Sequence, residues 1–380
     1  MDSKRGTRSA SFFVVTVTLA AALFGCASSL KLTPIKSTEN KPSNVAVYFK
    51  VETSSGDPVG GLTSESFRIY EDDALVSQYE SKQTILNPEV AASHYTLLLI
   101  DMSGSISESG NSDRVVDAAT AFADRVGKLQ KVAVYSFDGS EDIHPVVPFT
   151  TGPESAKEGL KALKTYKPQD PSTNLNGAVV KGIDTLDDAL AHSEHPMKFG
   201  TLVVFTDGTD RAARVSNDVM RKKLRDSQYG IFAIGLGAEI KESELKDVGR
   251  DGTAMATDKE SVVKAFDTIG ARIEAVTKSY YLLSYCSPAR AGKHEVRVEA
   301  VTKDAQGKES KSGSLRRPFD ATGFGAGCDP KTPPTFDTSK GDALAPPPAT
   351  TSTPPATTSA PPPPNLPPPP PAQPNEVFTP

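Results

Sequence analysis

The central part of the chain alternates between short apolar runs and longer amphipathic stretches. Continuous apolar runs of this kind are typical of strands covered on both faces, as in a parallel sheet. They occupy residues 95–100, 132–137, 201–206 and 230–236. The intervening stretches repeat apolar residues at helical spacing, and Asp113 is a candidate N-cap of the first of them. The alternation predicts an α/β domain over residues 93–277, with a doubly wound, mostly parallel sheet.

Strand-like segments also occur on both sides of this domain. Val45, Val47 and Phe49 occupy every second position, which is the period of a strand with two different faces. Residues 280–285 and 294–301 predict two further strands joined by a turn that contains Pro and Gly. The chain therefore has β-structure before and after the predicted α/β domain.

We expect segments 44–86 and 278–328 to be two halves of one small β-module, with the α/β domain inserted between them. Contacts between residues 45–51 and 296–301 would support this arrangement, and their absence would reject it. The short polar stretch 26–43 in front of the module is expected to be a linker.

Proline dominates the C-terminal end of the chain. Of the 31 prolines, 19 lie between Pro330 and Pro380, so the remainder has an ordinary globular composition. Residues 329–380 are otherwise rich in Thr, Ser and Ala and have too little apolar surface to fold. We expect a disordered, extended tail that acts as a spacer, with docking to a cell-wall or partner surface as the alternative.

The N-terminus has the pattern of an export signal. Lys4, Arg5 and Arg8 precede a 14-residue apolar run, 12–25, which is short for a membrane-spanning helix of about 20 residues. The run ends in the sequence Leu-Phe-Gly-Cys, which resembles a bacterial lipobox with Cys26 as the lipid-bearing residue. The resemblance implies a signal peptide over 1–25 and membrane attachment through lipid. A plain secretory signal is the alternative.

Net charge argues against nucleic-acid binding, and the cysteines predict a disulfide. With 42 basic and 47 acidic side chains, the chain lacks the excess of basic charge expected of a nucleic-acid-binding protein. After export, Cys286 and Cys328 would be in an oxidising compartment, so we expect them to form a disulfide. Two free, buried thiols are the alternative.

Oxygen-bearing side chains follow the predicted strands at the points where the strands end. Asp101, Ser103 and Ser105 come after the first strand, Thr173 is in a loop that opens a helix, and Asp207 follows a later strand. Because the carboxyl ends of parallel strands share one edge of a sheet, these five residues are expected to converge. Two carboxylates and three hydroxyls suit Mg²⁺, Mn²⁺ or Ca²⁺ rather than zinc or copper.

This five-residue set resembles the metal-ion-dependent adhesion site (MIDAS) of von Willebrand A domains. The resemblance implies that Asp101 and Asp207 supply the acidic ligands and that Ser103, Ser105 and Thr173 supply hydroxyls. It further implies an open position on the ion, which an Asp or Glu of a partner protein fills. Residues 59–73 are also similar to the β-module that precedes such domains in a group of exported bacterial proteins.

An enzymatic role is not expected. A phosphoryl-transferring Asp normally has a second Asp two residues later as the general acid, and Ser103 occupies that position. The sequence also has no nucleophile elbow and no phosphate-binding loop.

Taken together, these features predict an envelope lipoprotein that holds a protein ligand through a divalent ion, Mg²⁺ first among the candidates. Neither a nucleic acid nor a small-molecule substrate is expected as a partner. Ala27 follows the lipid-bearing cysteine where Asp is associated with retention at the inner membrane, which favours the outer membrane. The alternative is an envelope scaffold in which the ion is only structural and the tail or the β-module binds.

Overall fold

The computed structural model describes residues 29–107, 112–150, 153–237 and 239–337. The predicted signal peptide, Cys26 and the tail beyond residue 337 lie outside the described residues. The strands are β1 (Leu30–Asn40), β2 (Asn44–Thr53), β3 (Phe67–Glu71), β4 (Ala74–Leu75), β5 (Thr84–Leu86), β6 (Ala92–Asp101), β7 (Lys131–Phe137), β8 (His144–Thr150), β9 (Met197–Thr206), β10 (Gly230–Leu236), β11 (Gly252–Ala256), β12 (Tyr280–Cys286), β13 (Lys293–Lys303) and β14 (Glu309–Asp320). The α-helices are α1 (Gly104–Ser107), α2 (Ser112–Val126), α3 (Pro153–Lys161), α4 (Leu175–Ala191), α5 (Asn217–Asp226), α6 (Glu242–Val248) and α7 (Lys259–Thr277).

The central sheet has the strand order β11-β10-β9-β6-β7-β8. All neighbouring pairs in it are parallel except β7 and β8, which are antiparallel. From β6 the chain proceeds to β7 on one side and later to β9 on the other. The strand order therefore reverses between β6 and β9, and such a reversal leaves a crevice at the carboxyl ends of the two strands.

Helices cover both faces of this sheet, which explains the continuous apolar runs. On β6, Leu98 and Ile100 face a core shared with α2, α3 and α7. Leu97 and Leu99, which point the other way, face a second core shared with α4, α5 and α6. The prediction of a doubly wound, mostly parallel α/β domain is confirmed.

Two smaller sheets form a sandwich from the segments that flank the α/β domain. Their strand orders are β1-β2-β12-β5 and β14-β13-β3-β4. Val47 and Phe49 of the first sheet share one core with Val296 and Val298 of the second. Strands before and after the α/β domain thus build a common sandwich, as the alternating pattern indicated.

The other face of the first small sheet packs on the α/β domain. Ala46 and Tyr48 of β2 share a core with Ala92 and Met197, the first residues of β6 and β9. Strand β2 is therefore buried on both faces, and the sandwich lies at the amino ends of the central strands. The crevice at their carboxyl ends is on the opposite side of the domain.

Two predicted boundaries were wrong. Residues 26–43 were expected to be a linker, but Leu30–Asn40 forms β1, antiparallel to β2. Leu30 and Leu32 are buried in the sandwich core, and the strand also pairs the open backbone edge of β2.

The predicted start of the disordered tail, residue 329, is also too early in the chain. The side chain of Phe336 is buried between the sandwich and the α/β domain, and Thr38 Oγ1 donates to the backbone oxygen of Thr335 at 2.8 Å. Asn44 Nδ2 donates to the backbone oxygen of Asp329 at 3.4 Å. Residues 329–337 are thus part of the folded unit.

Cys286 and Cys328 form a disulfide, with Cα atoms 5.8 Å apart and 42 residues apart in sequence. The bond ties the last residue of β12 to the segment that continues to Phe336. It closes a loop that contains both β13 and β14.

Replacing both cysteines with serine is expected to lower the free energy of unfolding by about 2–4 kcal/mol, because the unfolded chain regains the freedom of the closed loop. Urea unfolding of the oxidised wild type and of the double variant measures the difference. An unchanged midpoint would contradict a stabilising role for the disulfide.

His94 is buried at the interface between the sandwich and the α/β domain. Its ring stacks on Phe199 at 4.7 Å between centroids, and its Nε2 is 3.4 Å from the hydroxyl of Tyr48. Burial lowers the pKa of His94 to about 4. Lys50 and Glu52 lie beside Tyr280, whose ring centroid is 5.4 Å from that of His94.

Acidification is expected to destabilise the fold through His94. In the unfolded chain this histidine binds a proton near pH 6.5, whereas in the folded chain it stays neutral down to about pH 4. Its contribution to stability is therefore complete above pH 6.5 and is lost as the pH falls towards 4. Over that range, wild type should lose about 3 kcal/mol more than His94→Gln in urea unfolding. Parallel pH profiles of the two proteins would contradict this expectation.

Candidate metal site

Asp101 is the last residue of β6 and is fully buried. Its Oδ1 accepts a hydrogen bond from the backbone N–H of Ser103 at 3.0 Å, and its Oδ2 accepts from the hydroxyl of Thr206 at 2.7 Å. Thr206 ends the neighbouring strand β9. The carboxylate is therefore fixed from both sides of the crevice between β6 and β9.

The two serines connect Asp101 to Asp207. Ser103 Oγ and Ser105 Oγ are 3.2 Å apart, and Ser105 Oγ donates to Asp207 Oδ1 at 2.8 Å. Ser103 is buried, whereas Ser105 is exposed and Asp207 is partly exposed. This chain of oxygens extends from the interior of the crevice to its solvent side.

Thr173 reaches the same edge from the loop before α4. Its backbone oxygen accepts from the N–H groups of Arg211 and Ala212 at 2.9 and 3.0 Å. A Cβ placed on Gly208 would lie 3.8 Å from Thr173 Oγ1, and Gly104 N donates to the backbone oxygen of Pro171 at 2.9 Å. The Thr173 loop is thus bonded to the loops that carry the other four residues.

Burial gives the two carboxylates an unfavourable environment for negative charge. It raises the pKa of Asp101 to about 7, against hydrogen bonds from Thr206 and Ser103, and the charge of Asp207 adds to the effect. Burial likewise raises the pKa of Asp207, with a further contribution from Glu239. The groups that bond Asp101 are an amide and a hydroxyl, neither of which carries a positive charge. A divalent cation would supply the missing charge, so the donor set fits such an ion.

The site differs in composition from clusters built on His, Cys or several acids. In the described part of the chain, no group of three or more His, Cys, Asp or Glu side chains is arranged to hold a metal ion. Hydroxyls supply three of the five oxygen side chains here, so such a cluster is not required.

Separately, no helix within the described ranges is long and apolar enough to cross a membrane.

The sequence predicts five residues as ligands, and the structure adds residues that hold them in place. Thr206, which bonds Asp101, directly precedes Asp207, and its position at a strand end was the available signal. Asp210 binds two backbone amides, those of Asn176 and Ala213, each at 2.7 Å. From the sequence, a supporting role at the site and an ordinary surface position are equally compatible with Asp210, which lies three residues after Asp207.

The family comparison matches the part of the chain that contains this site. Residues 96–209 match the family model described as von Willebrand factor type A domain. The span covers less than a third of the chain and includes all five residues of the site. No curated protein matches the chain at a significant level.

Several solved structures are similar at low identity. Proximal thread matrix protein 1 from the mussel byssus is 17% identical, covers 48% of this chain and has a TM-score of 0.41. A von Willebrand factor type A protein from Catenulispora acidiphila is 13% identical, covers 77% of this chain and 75% of its own, and has a TM-score of 0.40. A further structure of the mussel protein, "with zinc occupied MIDAS motif", is 18% identical, covers 53% of this chain and 49% of its own, and has a TM-score of 0.36. The present chain spans about half the length of the mussel protein, at 48% in the first comparison.

Proposed function

We propose that the von Willebrand factor type A domain of this chain binds a divalent cation and uses it to hold an acidic side chain of a protein ligand. The observation that carries the proposal is that five oxygen-bearing residues converge at one crevice. Ser103, Ser105 and Asp207 are joined by side-chain contacts, Asp101 is joined to Ser103 N, and Thr173 is held by its backbone next to the Asp207 loop. The ligands would be Asp101, Ser103, Ser105, Thr173 and Asp207.

The chemistry of the site supports binding of a hard cation. Two carboxylates balance the charge of a divalent ion, and neutral hydroxyl oxygens complete part of its shell. Mg²⁺ is the first candidate because oxygen ligands and water suit it, with Mn²⁺ and Ca²⁺ as alternatives. The motif named for the mussel protein contains zinc in one structure, so zinc is included in the test below.

The same features support binding to a protein rather than catalysis. Ser105 is exposed and Asp207 partly so, which leaves the ion accessible from the solvent side. A carboxylate of a partner would fill an open position on the ion and complete its shell. The residue two positions after Asp101 is a serine, which is a poor general acid.

The position of β1 in the sandwich supports the proposed attachment to the cell envelope. Strand β1 begins at Leu30, four residues after Cys26, and belongs to the sandwich. The sandwich lies at the amino ends of the central strands, whereas the site lies at their carboxyl ends. Lipid on Cys26 would therefore hold the chain by the side remote from the site. We place the protein in a bacterial envelope, with the outer membrane favoured.

Calorimetric titration tests the ion. Full-length wild type, first stripped with EDTA, is expected to bind one Mg²⁺ or Mn²⁺, with Ca²⁺ and Zn²⁺ titrated for comparison. Asp101→Ala should abolish binding, because it removes one of two acidic ligands. Asp304→Ala is the matched control, because Asp304 accepts two backbone amides in the β13–β14 turn and lies outside the site. Absence of binding to wild type, or unchanged binding to Asp101→Ala, would reject the proposal.

Recovery of a partner from envelope extract separates the proposal from the scaffold alternative. Immobilised wild type should retain a protein that EDTA releases and that Asp101→Ala fails to retain. Deletion of residues 338–380 should leave that recovery intact. If the deletion abolishes recovery while Asp101→Ala does not, the tail binds the partner and the ion is only structural.

A further inference from the structure

A turn after β7 lies beside the site and contains a buried acid that is not one of the five proposed ligands. Residues 138–140, called here the Asp138 turn, follow Phe137 at the carboxyl end of the strand. The side chain of Asp138 is fully buried. A buried carboxylate away from the proposed ion needs other partners, because an unpaired buried charge is strongly unfavourable.

The partners of the Asp138 carboxylate are the turn itself and the loop that precedes Thr173. Its Oδ1 accepts from Ser140 N at 2.7 Å. Its Oδ2 accepts from Gln169 N at 2.7 Å and from the hydroxyl of Tyr166 at 3.1 Å. Burial opposes the charge, but these hydrogen bonds outweigh it and lower the pKa of Asp138. The carboxylate thus fixes the start of the Thr173 loop.

The backbone of the turn fixes the other end of the same loop. The oxygen of Asp138 accepts from Asn174 N at 3.0 Å, and the oxygen of Ser140 accepts from Asn174 Nδ2 at 2.8 Å. Asn174 also caps α4, because its Oδ1 accepts from Gly177 N at 3.2 Å. Thr173 is therefore held between the Asp138 turn and the first turn of α4.

The turn contacts the Asp207 side of the site as well. Arg214 donates through Nε to the backbone oxygen of Gly139, and its Nη2 is 2.9 Å from Asp170 Oδ2. Gly139 N in turn donates to the backbone oxygen of Asp170 at 3.0 Å. A Cβ on Gly139 would overlap Ser172 Oγ, so only glycine allows this close approach.

We propose that Asp138 is a positioning residue that sets the affinity of the site for its cation by holding Thr173 in place before the ion binds. This inference rests on the proposed function. Groups that orient metal ligands without touching the metal typically contribute 10- to 100-fold in affinity. Asp138 does so through the backbone of a loop, because its hydrogen bonds are to Ser140, Gln169 and Tyr166 and not to the five ligands.

Titration of the full-length chain with Mn²⁺ tests the assignment. Asp138→Asn puts an amide N–H₂ against the Gln169 N–H in one orientation and against the Ser140 N–H in the other, and should weaken Mn²⁺ binding about 10-fold. The matched control Asp304→Asn, on the sandwich, should bind as wild type does. Gly139→Ala disturbs the same loop with Asp138 intact and should also weaken binding. It serves as the test variant if Asp138→Asn does not fold.

A double-mutant cycle distinguishes positioning from a general loss of stability. If Asp138 acts through Thr173, Asp138→Asn should have little further effect on Mn²⁺ affinity in a Thr173→Ala background. Hydrogen exchange in EDTA should also show faster exchange at Gln169 and Asn174 in Asp138→Asn, with the sandwich amides unchanged.

The outcomes separate this inference from the function on which it rests. Wild-type affinity in Asp138→Asn, or an equal loss in the Thr173 and Thr173→Ala backgrounds, would overturn the role of Asp138 and leave the metal site standing. If wild type itself binds no Mn²⁺, or if Asp101→Ala binds as wild type does, the proposed function fails and the inference fails with it.

Discussion

The proposed site depends on two carboxylates that lie in a crevice where burial makes negative charge unfavourable. Asp101 is held by an amide and a hydroxyl, and Asp207 is joined to it through Ser103 and Ser105. These neutral donors fix the positions of the oxygens but carry no positive charge to balance that of the buried Asp101. The oxygens are therefore ordered before the proposed cation binds, and its binding would need little rearrangement. The proposed adhesive role follows from that order together with one open, solvent-facing side.

The sandwich lies on the side of the α/β domain opposite to the site. The first small sheet packs on the amino ends of β6 and β9, which leaves the carboxyl ends free for loops. The strands of the sandwich come from both sides of the α/β domain in sequence, so the two ends of that domain are held together. The disulfide from Cys286 to Cys328 and the buried side chain of Phe336 add further links within the sandwich and between it and the α/β domain. This arrangement suits the proposed protein, which would be attached to the envelope on the sandwich side and would bind its ligand at the carboxyl ends of the central strands.

Sequence patterns predicted the parts of the fold that depend on local periodicity. The four interior strands were evident as apolar runs, whereas β8 contains two prolines and β11 is short, which is typical of edge strands. Strand β1 was missed because its polar positions resemble a linker until β2 is known to need a partner. Asp101, Ser103 and Ser105 could be recognised locally, and Thr173 and Asp207 from the strand-end rule and the resemblance. Asp138 could not, because its role comes from tertiary hydrogen bonds to residues about 30 positions away.

Anomalous diffraction from crystals grown with Mn²⁺ tests the central claim most directly. The expected result is one strong anomalous peak within bonding distance of oxygens from both Asp101 and Asp207, with hydroxyl oxygens of the serines and Thr173 around it. A map with no peak there, or with manganese bound only elsewhere on the chain, would contradict the metal-dependent role of this domain.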